Sequence, residues 1–244
     1  MVVGTTDTPR EEAEIEPRAL PEELGFVLRN AGRYMQREPS ISDIQSVFAG
    51  QRPLVHPEGR TGDSKSISRS HEVFVSQSGL VTIAGGKWTT YRKMAEDTLS
   101  HAIPVGGLTP APCRTEHLPL HGASHDVHNL HDLTDTLRFY GTDAEAIEKL
   151  AREEPNLAER LHPSLPYRGA EVVWATQHEM AIHLEDVLAR RTRALLLGVE
   201  NSKQAAPHAA KLMAKQLGRN EKWVNQEVAR YNALAEGYLV SDPV

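Results

Sequence analysis

The sequence predicts an α+β protein, with a partial β-sheet region followed by an all-α carboxyl-terminal domain. Three observations predict it. Over residues 1 to about 90, short β-type runs are punctuated by Gly, Pro, Ser and Asp. From about residue 129 onward, apolar residues recur at helical spacing. Between them, residues 104–128 are rich in Pro, Gly and His and carry no period, as expected of a linker or a long surface connection. The expected divisions are therefore 1–103, 104–128 and 129–244.

Each element has a local reason. Met1–Gly4, Ser46–Ala49, Glu72–Val75 and Leu80–Ala84 are the strand candidates. One helix interrupts them: Pro21-Glu22-Glu23 opens it with acids in the first turn, and Leu24, Val27, Leu28, Ala31 and Tyr34 form its apolar stripe. Pro39 stops it. Tyr91, Met94, Ala95, Thr98 and Ala102 then predict a helix that Pro104 closes. Beyond the linker, Leu130–Tyr140 ends at Gly141, Asp143–Ala151 follows, and Leu157–Leu161 reads as a short turn. Ala170–Arg191 is the longest periodic stretch, and Ala205–Leu217 and Trp223–Leu239 complete the set, with Gly218 as a C-cap. The sequence has no internal repeat and no coiled-coil heptad.

Composition narrows the function classes. With 27 Lys and Arg against 33 Asp and Glu, the net charge is −6, which argues against nucleic acid as a partner because phosphate binding needs concentrated positive charge. Aromatics at 5% weaken base stacking as well. The single cysteine, Cys113, excludes an internal disulfide and any multi-cysteine metal site, and it fits a reducing compartment. The amino terminus does not read as a secretory signal. Ala194–Val199, the most apolar run, is far short of the roughly 20 residues a spanning helix needs. The expected location is cytoplasmic, with peripheral membrane contact left open.

The segment with most chemical content is Leu80-Val81-Thr82-Ile83-Ala84-Gly85-Gly86-Lys87-Trp88-Thr89-Thr90-Tyr91. A strand runs through a Gly-Gly turn into a helix start. Glycines admit close approach of the backbone, the first helical amides point outward, and the helix dipole favours an anion there. Tight packing alone also uses such glycines, so both readings stand at this point. Arg52, held extended by Pro53, and Arg69 each stand at the edge of a β-type run, as does Lys87. Brought together they would bind a phosphate or carboxylate through guanidinium forks; left apart they are surface cations.

Several motifs in fixed order resemble those of FAD-dependent glycerol-3-phosphate dehydrogenases. They are Gly4-Thr5-Thr6-Asp7-Thr8, Ala49-Gly50-Gln51-Arg52-Pro53-Leu54, Ser68-Arg69 and the run Gly85-Gly86-Lys87-Trp88-Thr89-Thr90-Tyr91-Arg92-Lys93-Met94-Ala95-Glu96. Tyr140-Gly141, Leu165-Pro166-Tyr167, Ala170-Glu171-Val172-Val173, His178-Glu179-Met180 and Leu188-Ala189-Arg190-Arg191-Thr192-Arg193 resemble the helical carboxyl-terminal domain of that family. The likeness covers almost the whole chain.

The resemblance implies a substrate-binding flavoenzyme region followed by the helical domain. It implies transfer of a hydride from carbon 2 of sn-glycerol 3-phosphate to flavin N5, with dihydroxyacetone phosphate as product and quinone as the electron acceptor. Arg52 and Arg69 are the implied substrate ligands, Lys87 the implied catalytic residue, and Gly85, Gly86, Lys87, Trp88, Thr89 and Thr90 the implied FAD contacts. No metal is implied. Peripheral membrane contact and a homodimer are further implied associations. The family also carries a Gly-x-Gly-x-x-Gly fingerprint for the FAD pyrophosphate, which this sequence lacks. The expectation is a carboxyl-terminal half that needs an amino-terminal FAD-binding half for tight flavin binding and turnover. The alternative is a non-catalytic helical interaction or regulatory subunit derived from the same family.

Two other features compete for attention. His117, His121, His125, His128 and His131 have metal-like spacings, but Pro119 and Gly122 interrupt any helix there, so a solvated linker is the reading. Arg190, Arg191 and Arg193 could face anionic lipid. Asp186, four residues before Arg190, with Glu185 and Glu179, supplies intramolecular partners instead.

Overall fold

The computed structural model describes residues 1–52, 70–123 and 136–240. They group into two compact units: Met1–Thr6, Glu16–Ala49 and His121–Val244 in the first, Asp7–Ile15 and Gly50–Leu120 in the second. Residues 16–49 thus group with the carboxyl-terminal helices.

In the first unit, α1 spans Pro21–Gly32. Pro21 supplies the preset φ and lacks only an amide that would have had no partner. Glu23 turns its carboxylate back onto the Leu20 amide at 2.9 Å and accepts the Thr6 hydroxyl at 2.8 Å. Helices α3 (Ala144–Glu153), α4 (Pro155–Ala158), α5 (Gly169–His178), α6 (Ala194–Leu197), α7 (Val199–Leu217) and α8 (Glu221–Glu236) follow. Their packed side chains include Leu137, Ile147, Leu157, Leu165, Val172, Leu184, Leu188, Leu195, Met213 and Tyr231, all at most 2% exposed. Helix α7 presents Ala205, Ala206, Ala209 and Ala210 to this interior. Small side chains let backbones come close, and α7 packs against both α5 and α8. The Tyr231 hydroxyl finds its partner in Ser202 across the α7–α8 contact.

The stretch expected as one helix over 170–191 is two. Helix α5 ends at His178, Met180 adopts φ of +55°, and a π-type turn over Asp186–Arg191 follows. Asp186 restarts the chain, its Oδ2 accepting the amides of Ile182 (3.1 Å) and His183 (2.9 Å). The apolar period crosses the break because Leu184, Val187 and Leu188 enter the same interior as α5. Arg190 pairs with Asp186 at 2.9 Å and with Glu185 at 3.0 Å, and Arg191 donates to the Glu179 carbonyl.

In the second unit, β1 (His71–Val75) and β2 (Val81–Gly85) form an antiparallel hairpin in the register His71 to Gly85 through Val75 to Val81. The connection closes on Ser76, whose amide donates to the Leu80 carbonyl and whose hydroxyl accepts the Leu80 amide, both at 3.0 Å. Helix α2 (Tyr91–Val105) packs on both strands. It runs one residue past Pro104, where the expected stop lay, because Gly106 still donates to the Ala102 carbonyl at 2.8 Å.

Met1–Gly4 and Ser46–Ala49, expected as strands, are irregular. A β-type run becomes a strand only along a ladder, and Val47 makes a single such bond, donating to the Tyr238 carbonyl at 2.8 Å. The expected helix 130–140 lies outside the described residues up to 135; from Leu137 to Asp143 the chain is a 3-10 turn.

Candidate functional site

The candidate site is the exit of the hairpin. Strand β2 delivers Gly85 and Gly86 at φ of +75° and +79°, both left-handed, so the chain turns sharply where only glycine does so without strain. Gly86 also lies tight against its surroundings: a Cβ there would come within 2.6 Å of Met94 Sδ and 3.2 Å of His71 Cβ. Lys87 returns to extended geometry, and a 3-10 turn over Trp88–Thr90 leads directly into α2. Thr90 locks this turn. Its hydroxyl donates to the Lys87 carbonyl at 2.9 Å and accepts the Lys87 amide at 3.4 Å.

The amides of Trp88 and Thr89 open the turn, so no carbonyl precedes them at helical spacing. Lys87, Trp88, Thr89 and Thr90 are all exposed. Trp88 is 87% exposed and stacks on the Tyr91 ring at 5.6 Å between centroids. The result is an open cradle: two close-approach glycines, the first amides of the turn, an exposed lysine and an aromatic pair at the start of a 15-residue helix. Such a surface suits an electron-rich, planar or anionic group. The pyrimidine edge of a flavin meets that description, so the residues present fit one.

The other expected site residues fall differently. Arg52 is half-exposed, and its Nη1 lies 3.3 Å from Asp7 Oδ2; among the described residues that is its ion pair. Its neighbour Gln51 is held by the backbone of 12–14, accepting the Glu14 amide and donating to the Glu12 carbonyl, both at 2.9 Å. Arg69 lies outside the described residues. Of the histidines in the linker, His121 sits 2.6 Å from Asp143 Oδ2, and His125, His128 and His131 lie outside the described residues. Among the described residues, no group of three or more His, Cys, Asp and Glu is arranged to hold a metal ion.

Sequence reading missed the polar network behind the cradle. His71 Nε2, opposite Gly85 in the hairpin, lies 2.9 Å from Asp97 Oδ2 on α2, and Lys93 Nζ lies 2.9 Å from the other Asp97 oxygen. Hydrogen bonds from Lys93 and then His71 hold the Asp97 carboxyl below its usual range. Arg92 pairs with Glu96 at 2.9 Å and reaches Thr115 Oγ1 at 3.4 Å. Thr115 in turn holds the exposed Cys113 thiol below its usual pKa by hydrogen bonding. The 92/96 and 93/97 pairs at helical spacing were available in the sequence. The His71–Asp97 pair was not, because it depends on the packing of strand on helix.

Residues 113–224 match the family model described as the C-terminal domain of alpha-glycerophosphate oxidase. A probable mitochondrial glycerol-3-phosphate dehydrogenase of Caenorhabditis elegans is 34% identical over 238 residues, covering 89% of this chain and 32% of that protein. The mitochondrial glycerol-3-phosphate dehydrogenase of Mesocricetus auratus is 35% identical over 245 residues, with 90% and 32% covered. A glycerol-3-phosphate dehydrogenase of Mycobacterium leprae (strain TN) is 32% identical over 254 residues, with 98% and 43% covered. The chain therefore spans about a third of the length of the animal relatives it matches. The X-ray structure of glycerol-3-phosphate dehydrogenase from Bacillus halodurans, complexed with FAD, has the same fold at a TM-score of 0.75 and 24% identity, covering 99% of this chain and 50% of that one.

Proposed function

We propose, because the chain belongs in its carboxyl-terminal part to the glycerol-3-phosphate dehydrogenase family, that it is the carboxyl-terminal portion of an FAD-dependent enzyme oxidising sn-glycerol 3-phosphate to dihydroxyacetone phosphate. The observation that carries this reading is the Gly85–Thr90 cradle, lying within a chain that aligns with such dehydrogenases along nearly its full length. When bound, FAD supplies the two-electron acceptor for the hydride that leaves carbon 2 of the substrate.

The chain's own residues then divide the work. Gly85 and Gly86 admit the ring edge, and the amides of Trp88 and Thr89, with the helix start behind them, favour the negative charge that reduction places there. Lys87 serves substrate and flavin together as a mobile cation. Arg52 and Arg69 bind substrate oxygens, the phosphate included. Quinone is the proposed electron acceptor, and an amino-terminal FAD-binding half and a second copy of the chain are the proposed protein partners. Among the described residues no helix is long and apolar enough to cross a membrane, so the membrane contact proposed is peripheral.

The test is turnover. With an FAD-binding half supplied, the assembled protein should show flavin absorbance and reduce a soluble quinone in the presence of sn-glycerol 3-phosphate. The chain alone should do neither. In the assembly, Arg52→Ala or Arg69→Ala should weaken substrate binding by roughly 2–3 kcal/mol, the scale of one lost charge-assisted pair. An assembly without flavin or turnover would favour the non-catalytic helical subunit, a reading supported by the fact that the fully buried residues of the described chain all lie between 136 and 235.

A further inference from the structure

Two consecutive left-handed glycines adopt their turn without strain but lose more backbone freedom on ordering than other residues, so the turn depends on contacts that hold it. Thr90 locks the Lys87–Thr90 part of the turn from within, so what remains to be fixed from outside is the glycine pair before it. His71 occupies the required place. It faces Gly85 across the hairpin, and the Gly86 amide donates to the carbonyl of the preceding residue, Ser70, at 3.3 Å. Gly86 is thereby enclosed between His71 and Met94 of α2. The imidazole then reaches over to α2, where Asp97 takes it at 2.9 Å and is itself held by Lys93 at 2.9 Å. The side chains of His71 and Asp97 retain 20% and 31% of their exposure, so water competes only in part. The pair thus ties the start of β1 to α2 three residues beyond Met94, the α2 residue that lies against Gly86.

We propose that His71 and Asp97 are positioning residues, a brace that holds the Gly85–Thr90 turn in the geometry that receives the flavin; the link to flavin rests on the function proposed above, while the brace itself does not. Neither residue is assigned contact with substrate or cofactor.

Amide hydrogen exchange on the full 244-residue chain, which needs no flavin, tests the brace. His71→Ala should speed exchange at Gly86 at least tenfold, with exchange in α5 and α7 unchanged. His71→Gln, which keeps a donor for Asp97, should restore most of the protection, and Asp97→Asn should fall between. Unchanged exchange in His71→Ala would overturn the brace, as would equal loss in His71→Gln. The flavin potential of the assembled protein tests the link. A tenfold loss of preference for the reduced form in His71→Ala, about 30 mV more negative for a two-electron couple, with recovery in His71→Gln, is the expected result. Faster exchange with an unmoved potential would overturn the role in flavin positioning. Absence of flavin from the assembled wild type would instead defeat the proposed function and leave the exchange result to decide the brace.

Discussion

Glu171 sits at the third position of α5 and is completely shielded from solvent. Its Oε2 accepts the Arg168 amide at 2.8 Å, and its Oε1 lies 3.5 Å from the Tyr140 hydroxyl. Burial outweighs these contacts and pushes its pKa from 4.5 up to about 7. The folded state therefore binds this proton more tightly than the unfolded chain does. Its contribution to stability is complete below pH 4.5 and is lost as pH rises through 7, a fall of roughly 3 kcal/mol. Glu171→Gln keeps the acceptor for Arg168 and removes the ionisation. Relative to wild type it should be near neutral at pH 4.5 and more stable by about that amount at pH 8, measured by urea unfolding at both values. A pH-independent difference would contradict the assignment. The sequence offered Glu171 only as an acid within a family-like run; nothing in its spacing says that Tyr140 and Arg168 will close over it. The same limit applies at Gly141. Its turn is visible in sequence, yet the reason for glycine there is the Gly122 carbonyl, which would stand 1.9 Å from an added Cβ.

Helix boundaries repay local chemistry more directly. Asn220 is extended, outside α8, and its Oδ1 accepts the Trp223 amide at 3.1 Å, relieving one unpaired donor of the first turn. Asn220→Ala should cost about 1 kcal/mol in a urea titration, Asn220→Asp should restore it, and neither should alter the denaturant slope. A loss below roughly 0.3 kcal/mol would mean that tertiary packing alone holds α8. Elements whose reasons are local were readable: Pro21 and its acids mark α1, Gly218 at φ of +63° ends α7, and Thr82 to Gly85 leave a strand for a turn. Elements whose reasons are distant were not. Periodicity over 170–191 recorded that one core receives both α5 and the π-type turn, and could not register the break at Met180 or the restart capped by Asp186. Ser46–Ala49 had strand composition and a single carbonyl, that of Tyr238, to bond with. In the candidate site, the contiguous run from Gly85 to Thr90 was readable because its geometry is its sequence. The Arg52–Asp7 pair and the His71–Asp97 brace depend on which segments pack together.

Burial divides the chain unevenly, and stability should divide with it. In the first unit, α5, α7 and α8 enclose side chains such as Val172, Met213 and Tyr231 that are almost entirely removed from water. In the second, every described residue keeps appreciable exposure, and Phe74, Val75 and Leu80 of the hairpin are 48%, 46% and 65% exposed. A two-stranded hairpin on a single helix buries too little apolar surface to be more than marginally stable. Its amides should therefore open by local fluctuation, well below the free energy of global unfolding. Exchange at Phe74 and Thr82, a hydrogen-bonded pair in the centre of the ladder, should run at least about a hundredfold faster than at Val173 in α5 or Met213 in α7, a gap of roughly 3 kcal/mol. Denaturant well below the unfolding midpoint should leave the hairpin's rates nearly unchanged while it accelerates the helices, since a small opening exposes little new surface. Equal protection and equal denaturant dependence in both sets would show that hairpin and helices open only in one global step. If the measured order is the expected one, a ligand that binds the cradle should slow exchange in the hairpin first, because the added free energy of binding acts on the opening that the bound state forbids.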